Sequence, residues 1–159
     1  MTNQPDTSNV PVRPTVLFLA ALAIGLVADR LIVPLDILSG LRWSWRQFIG
    51  GVMIVAGMAG VVDCRRRFRE AGTSVHSRQA SRAIVDSGLY RYSRNPIYLA
   101  LSTIHLGVAV ADNNAWLPLL LVPLLIMVRY TVIAREELYL ERRFGEQYAA
   151  YKTRVRRWL

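Results

Sequence analysis

Apolar and basic residues do not mix in this chain; they alternate in blocks. Four runs rich in Leu, Val, Ile and Ala, at 15–35, 47–62, 97–111 and 115–134, are separated by segments in which arginine dominates. A soluble domain spreads the two populations along its length. Apolar runs of about 20 residues bordered by cations are instead the pattern of helices that cross a bilayer.

Composition sharpens this reading. Hydrophobic residues make up 53% of the 159, yet the net charge is +9. Such a charge also suits nucleic acid, but here the cations flank apolar runs, where anionic headgroups would meet them. Membrane lipids are therefore the expected partner, and nucleic acid is not. The single cysteine, Cys64, excludes an internal disulfide framework and leaves no thiol cluster for zinc, so no metal is expected. Every cation but Lys152 is arginine. That bias points to a GC-rich genome, hence to a bacterium and its inner (plasma) membrane.

The expected fold class is all-α: a polytopic membrane helical bundle of about four transmembrane helices, with a C-terminal helix at the cytoplasmic interface. Residues 1–14 are polar and carry Pro5, Pro11 and Pro14, so they read as a flexible tail. Residues 15–64 read as a first transmembrane hairpin, 65–95 as a cytoplasmic basic loop, and 96–159 as a second hairpin plus the C-terminal helix. The first run is not read as a cleaved leader. A small-x-small pattern is missing past its apolar core, where Leu26 and Ala28 would have to serve. In the second run Gly50, Gly51, Gly57 and Gly60 offer places for close helix contact. The fourth run contains Pro118, Pro123 and Arg129.

Loop charge sets the orientation. Residues 65–94 hold eight arginines and the tail from Arg135 onward seven cations, whereas the Asp112-Asn113-Asn114 turn holds none. The positive-inside rule then places the middle loop and the C-terminus in the cytoplasm, with Arg42 and Arg46 as an outnumbered exception. The third and fourth runs form a hairpin, so the start of one and the end of the other meet at one membrane face.

Two polar constellations come from those ends. The first is Gly88-Leu89-Tyr90-Arg91-Tyr92-Ser93-Arg94-Asn95-Pro96-Ile97-Tyr98. Asn is a preferred N-cap and Pro suits the first helical position, so Asn95-Pro96 starts a helix. Its free N–H groups, with Arg94, suit a carboxylate or phosphate. The same residues also read as a well-capped span with a positive-inside arginine and interfacial tyrosines. The second constellation is Arg135-Glu136-Glu137-Leu138-Tyr139-Leu140, followed by Phe144, Gly145, Tyr148 and Tyr151. Two adjacent carboxylates at the inner end of a span sit against the charge rule. Glu136 falls two regular turns from Arg129, so one helical face is expected to offer both to the bundle interior. An ion-paired helix end, neutralised by Arg135, Arg142 and Arg143, is the plainer alternative. Phe144, Tyr148, Tyr151 and Val155 recur at helical spacing, as in an amphipathic helix lying in the interface.

Taken in order, G-x-Y-R-x-x-R-N-P-x-Y at Gly88–Tyr98, E-E-x-x-L at Glu136–Leu140 and F-G-x-x-Y-x-x-Y at Phe144–Tyr151 resemble the isoprenylcysteine carboxyl methyltransferase family, which is related to the membrane phospholipid methyltransferases. Gly72-Thr73 fits the same pattern, and the resemblance spans roughly residues 68–157. It implies an enzyme that binds S-adenosylmethionine in its C-terminal half, at the cytoplasmic side. A lipid-like or isoprenoid-linked acceptor, bearing a carboxylate, thiol or amine, would enter sideways from the bilayer.

Carried over by position, Arg94, Asn95, Pro96 and Tyr98 match the family's Arg-His-Pro-x-Tyr element. Glu136 and Glu137 match its acidic pair, and Tyr148 and Tyr151 its terminal aromatic element. These eight residues are the implied cofactor-binding set. Arg94, Arg129 and Glu137 are the implied catalytic residues, with Arg129 orienting an anionic substrate group. Asn95 replaces the His of the eukaryotic enzymes and does not titrate near neutrality, so no general base stands at this position. Ala100 replaces a frequent Gly. In-line displacement at a sulfonium needs chiefly alignment and exclusion of water when the nucleophile is already anionic.

Other residues fit plainer roles. His76 and His105 read as non-catalytic, Cys64 as a small apolar filler, and Arg65-Arg66-Arg67 as a topology signal. Asp29, acidic and inside a span, keeps a rival class open: a small oligomeric transporter coupled to protons, in which Asp29 would be essential. A non-catalytic membrane scaffold is the third class.

Overall fold

The computed structural model describes residues 13–72 and 83–159. Most of the tail expected over 1–14, together with Thr73 and His76, lies outside the described residues.

Proline opens two of the helices, at Pro14 and Pro96, as its fixed φ and missing N–H favour. Helix α1 spans Pro14–Leu31, α2 Trp43–Glu70, α3 Pro96–Asp112, α4 Trp116–Val128, α5 Ala134–Phe144 and α6 Glu146–Arg154. A short 3₁₀ turn, Gly88–Arg91, precedes α3, and a π turn, Arg129–Ile133, joins α4 to α5 without a break. Among the described residues, three helices are long and apolar enough to cross a membrane: Pro14–Leu31, Trp43–Glu70 and the continuous Trp116–Phe144. Helix α3, with 17 residues, is a shorter apolar helix, about 25 Å long at 1.5 Å per residue. The architecture is an all-helical membrane bundle.

Two boundaries differ from the sequence reading. Helix α2 continues through Arg65-Arg66-Arg67 to Glu70, so the basic segment begins on a helix rather than in a loop. Arginine is a good helix former, so the switch from apolar to basic does not end the helix. The last span likewise runs past residue 134, because the π turn carries it on into α5.

The tightest seam lies between α2 and α3. A Cβ on Gly50 would stand 2.5 Å from the Gly107 carbonyl oxygen, and one on Gly57 would stand 2.7 Å from that of Ala100. No side chain fits there, and the backbones touch directly, the packing that membrane helices use where apolar burial gives no drive. Gly60 faces the Ala100 methyl, whereas Gly51 faces open space.

A second apolar cluster ties α1 to the hairpin through Phe18, Tyr98, Leu121, Leu124, Val128, Val132 and Ile133. At one end, the α3–α4 turn is closed by Asn113, in the left-handed region at φ 57°, and by the fully buried Asn114. Asn114 accepts from the Leu117 N–H at 3.3 Å and donates to the Gly25 carbonyl at 3.3 Å. Asn113 Oδ1 accepts from the Leu38 N–H at 2.8 Å, and Asp29 Oδ1 from the Leu35 N–H at 3.1 Å. This turn end stitches the α1–α2 connection to the hairpin. The opposite end gathers the charged residues.

Candidate functional site

Helices α3 and α4 are antiparallel across their tight turn, so the start of α3 and the whole of α5 share the far end of the bundle. Within it, Tyr98 Oη donates to Glu136 Oε2 at 3.3 Å. One turn earlier, Arg94 Nη1 stands 3.2 Å from Glu137 Oε1, and both side chains are only 10% exposed. The two constellations, about forty residues apart in sequence, meet here side chain to side chain.

A third participant was not anticipated. Arg157, near the C-terminus, grips Glu137 in a fork: Nε to Oε1 at 3.0 Å and Nη2 to Oε2 at 2.6 Å. Bidentate guanidinium–carboxylate pairs of this kind are among the strongest ion contacts. Glu137 is therefore held between two arginines distant from it in sequence, Arg94 and Arg157. Arg157 is positioned by the backbone. Val155 leaves α6 in an extended conformation, and the irregular terminal strand of chain that follows lies against the start of α3. There the Arg94 N–H donates to the Arg156 carbonyl at 2.9 Å. Asn95 Nδ2 and Ser93 Oγ donate to the Arg157 carbonyl at 3.0 and 3.3 Å.

Asn95 thus differs from its expected role as a side-chain cap. It occupies the cap position ahead of Pro96, but its side chain makes no capping bond and is turned to the C-terminal strand instead. Ser93 Oγ accepts from the Asn95 N–H at 3.1 Å and steadies the turn. Pro96 is buried as the first helical residue.

Arg129 needs a correction of geometry. A regular helix would set it on the face of Glu136, seven residues on. The π turn at Arg129–Ile133 adds to the winding and rotates everything beyond it by about a quarter of a turn. Glu137 is consequently buried, while Arg129 is exposed and lies 5.5 Å from the Tyr130 ring centroid. Arg129 does not face the bundle interior.

The aromatic element is also more deeply placed than an open amphipathic helix. Gly145, at φ 53°, breaks α5 from α6 in a backbone region that suits glycine. Helix α6 then turns Tyr148 and Tyr151 inward, 2% and 4% exposed, onto Ile84, Leu140 and Phe144. Tyr151 Oη donates to the Tyr90 carbonyl at 2.8 Å, tying α6 to the 3₁₀ turn. Burial, reinforced by the nearby Glu137 carboxylate, pushes the Tyr148 hydroxyl up to about 12, although Arg94 opposes the shift. Burial likewise raises Tyr151. Both phenols are therefore neutral at physiological pH. The Arg157 guanidinium is held in its charged form chiefly by its hydrogen bonds to Glu137.

Among the described residues, Arg94 Nε and Nη1 are buried without a hydrogen-bond acceptor. The Nη1 contact with Glu137 is an ion pair by distance but is poorly aligned for a hydrogen bond. Buried donors are rarely left so, and the exceptions call for an explanation. The site therefore combines a carboxylate between two cations, a second carboxylate on a tyrosine, and a guanidinium edge able to take another anion. Sequence reasoning missed Arg157, since nothing in an Arg-Arg-Trp-Leu terminus signals a return to the start of α3.

A sequence model of a family described as phospholipid methyltransferase matches residues 45–147, more than half of the chain. A protein of Haemophilus influenzae (strain ATCC 51907 / DSM 11121 / KW20 / Rd), described only as an uncharacterized protein, is 40% identical over 65 residues. That match covers 40% of this chain and 100% of the relative. No solved structure matches. The matched span runs from the first turn of α2 through the first constellation and the acidic pair to the start of α6, just short of Tyr148 and Tyr151, and the three long apolar helices agree with a bilayer-embedded enzyme. The chain belongs to the phospholipid methyltransferase family and is an integral membrane methyltransferase.

Proposed function

We propose that the protein transfers a methyl group from S-adenosylmethionine to a lipid-like acceptor at the arginine-rich end of the bundle. The observation that carries this reading is the buried Arg94–Glu137–Arg157 array with donors of Arg94 still unpartnered. The amino-acid end of the cofactor carries one carboxylate and one ammonium, and the residues fit both. Arg94 takes the carboxylate through its free N–H groups, and Glu137 takes the ammonium. Glu136, oriented by Tyr98, accepts from ribose hydroxyls. Tyr148 and Tyr151, locked by packing and by the Tyr90 carbonyl, wall the adenosine rather than swing over it. Asn95 and Pro96 act indirectly, by seating the C-terminal strand and starting α3.

The bound cofactor supplies a methyl group on a positively charged sulfur, an electrophile that needs no further activation. The chain's own contribution is placement: it holds the donor in line with an acceptor and excludes water. Arg129, exposed at the π turn, is placed to meet an anionic group of an acceptor arriving through the bilayer. With Asn95 in place of a titrating residue, the acceptor's nucleophile arrives deprotonated or loses its proton elsewhere. The acceptor carries a carboxylate, a thiol or an amine, and the site faces the cytoplasm, in line with the positive-inside charge of that end.

The transporter alternative loses its main support, because Asp29 accepts from the Leu35 N–H at 3.1 Å and so fastens a loop.

Purified protein incubated with methyl-tritiated S-adenosylmethionine and extracted membrane lipids is the direct test. Label is expected in the lipid fraction, and base-labile, volatile label identifies a methyl ester, whereas stable label identifies an amine or thioether product. Arg94→Ala and Glu137→Gln are each expected to weaken cofactor binding. Wild-type affinity in both variants refutes the assignment.

A further inference from the structure

We infer that Arg157 is a displaceable occupant of the cofactor's ammonium position, so that binding exchanges a guanidinium of the protein for an ammonium of the ligand. This rests on the cofactor reading of the same site and adds a residue and a movement to it.

Three observations lead there. First, the fork of Arg157 takes both oxygens of Glu137, whereas the Arg94 Nη1 contact is an ion pair without hydrogen-bond alignment. A ligand ammonium seeking Glu137 meets a carboxylate whose best directions are already filled. Second, the three members differ in access. Arg94 and Glu137 are 10% exposed and Arg157 is 35% exposed, so Arg157 lies on the outer side of the carboxylate. Third, the charges count against simultaneous occupancy. Arg94, Glu137 and Arg157 sum to +1, and S-adenosylmethionine also carries +1 through its sulfonium, ammonium and carboxylate. Three cations on one buried carboxylate, Arg94, Arg157 and the ligand ammonium, repel strongly, because screening is weak there. Withdrawal of Arg157 into solvent removes the conflict. Glu137 then keeps one cation on its outer side, and Arg94 exchanges part of its contact with Glu137 for the ligand carboxylate.

The strand that carries Arg157 is built for such a movement. The backbone carbonyls of Arg156 and Arg157 anchor it to Arg94, Asn95 and Ser93. The guanidinium can leave Glu137 while the strand stays in place.

Trypsin reads the state of this one side chain, because cleavage after Arg157 requires its guanidinium to enter the protease and releases the Trp158-Leu159 dipeptide. In the full-length protein, S-adenosylmethionine and its demethylated product S-adenosylhomocysteine are expected to speed that cleavage. Methylthioadenosine, which lacks the amino-acid end, is expected to leave it unchanged. A competing side chain that is closed about 90% of the time raises the apparent Kd about tenfold, so Arg157→Gln is expected to bind S-adenosylmethionine more tightly by up to that factor. Protection of Arg157 on ligand binding, or weaker binding by Arg157→Gln, overturns the displacement and leaves the cofactor reading standing. Absence of binding by both wild type and Arg157→Gln removes the cofactor reading and the displacement together.

Discussion

The two ends of the bundle are both polar, and they use polar groups in opposite ways. At the turn end, side-chain oxygens and amides pair with backbone: Asn113 with Leu38, Asn114 with Gly25 and Leu117, Asp29 with Leu35, Gln47 with the Ala111 carbonyl. Such bonds close a loop and leave little over for a ligand. At the arginine-rich end, charged side chains pair chiefly with one another, and Arg94 keeps donors without acceptors. A buried ion array is a poor way to gain stability, since desolvation cancels much of the attraction. Its presence at one end and absence at the other marks where chemistry, rather than closure, has shaped the molecule.

Breaking the array should give the largest effect. Glu137→Ala leaves Arg94 buried without a counter-charge, and a loss of about 3–5 kcal/mol is expected for a buried pair broken in this way. Thermal unfolding in detergent measures it, and methyl transfer should vanish as well. The paired replacement Arg94→Met with Glu137→Met sharpens the point, because it should recover most of the stability and none of the activity. Activity retained in the paired variant would place the chemistry elsewhere.

Asn114→Ala is the counterpart at the turn end. It strands the Leu117 N–H and the Gly25 carbonyl, for an expected cost of about 1–3 kcal/mol. Methyl transfer per folded molecule should be unchanged. An equal fall in specific activity would erase the distinction between the two ends.

Asp29→Asn should be smaller again. The amide keeps an oxygen for the Leu35 N–H, so less than about 1 kcal/mol should be lost, with activity intact. Loss of a proton-driven flux in this variant would revive the transporter alternative.

The mildest effect is confined to alkaline solution. The Tyr148 phenol ionises at about 12 in the folded protein, above the ordinary 10. Its contribution to stability is therefore complete below about pH 10 and is lost as pH rises through 12, because the unfolded chain releases the proton first. Tyr148→Phe should flatten the stability profile in that window, and a profile identical to wild type would contradict the burial of the hydroxyl.

Much of this organisation is readable from the chain alone, for identifiable reasons. Segregated apolar and basic runs report the bundle, and a hairpin joined by a turn without cations must bring Arg94 and Glu137 to one end. Three features escaped because their causes are not written in residue type. The π turn adds one backbone unit without a distinctive residue, so periodicity counted through it put Arg129 on the wrong face. The extension of α2 through its arginines is invisible to hydropathy, which marks where the membrane ends and not where a helix does. The return of Arg157 depends on the break at Gly145 and on carbonyls of a terminal strand, a tertiary arrangement without a local signature. Asn95 shows the same limit: its position as a helix start was readable, but its side chain answers to a partner sixty residues away.

The π turn also separates two design problems that a regular helix would have to solve together. Residues of α4 answer to the hydrocarbon around them, and residues of α5 answer to the cluster of charge. The extra residue offsets the phase between the two, so the inward face of α4 and the face of α5 that buries Glu137 need not lie on one regular stripe. Removing one residue from 129–133 would restore a regular winding and couple the two again, swinging the acidic pair out of line even though no acidic or basic side chain had been replaced.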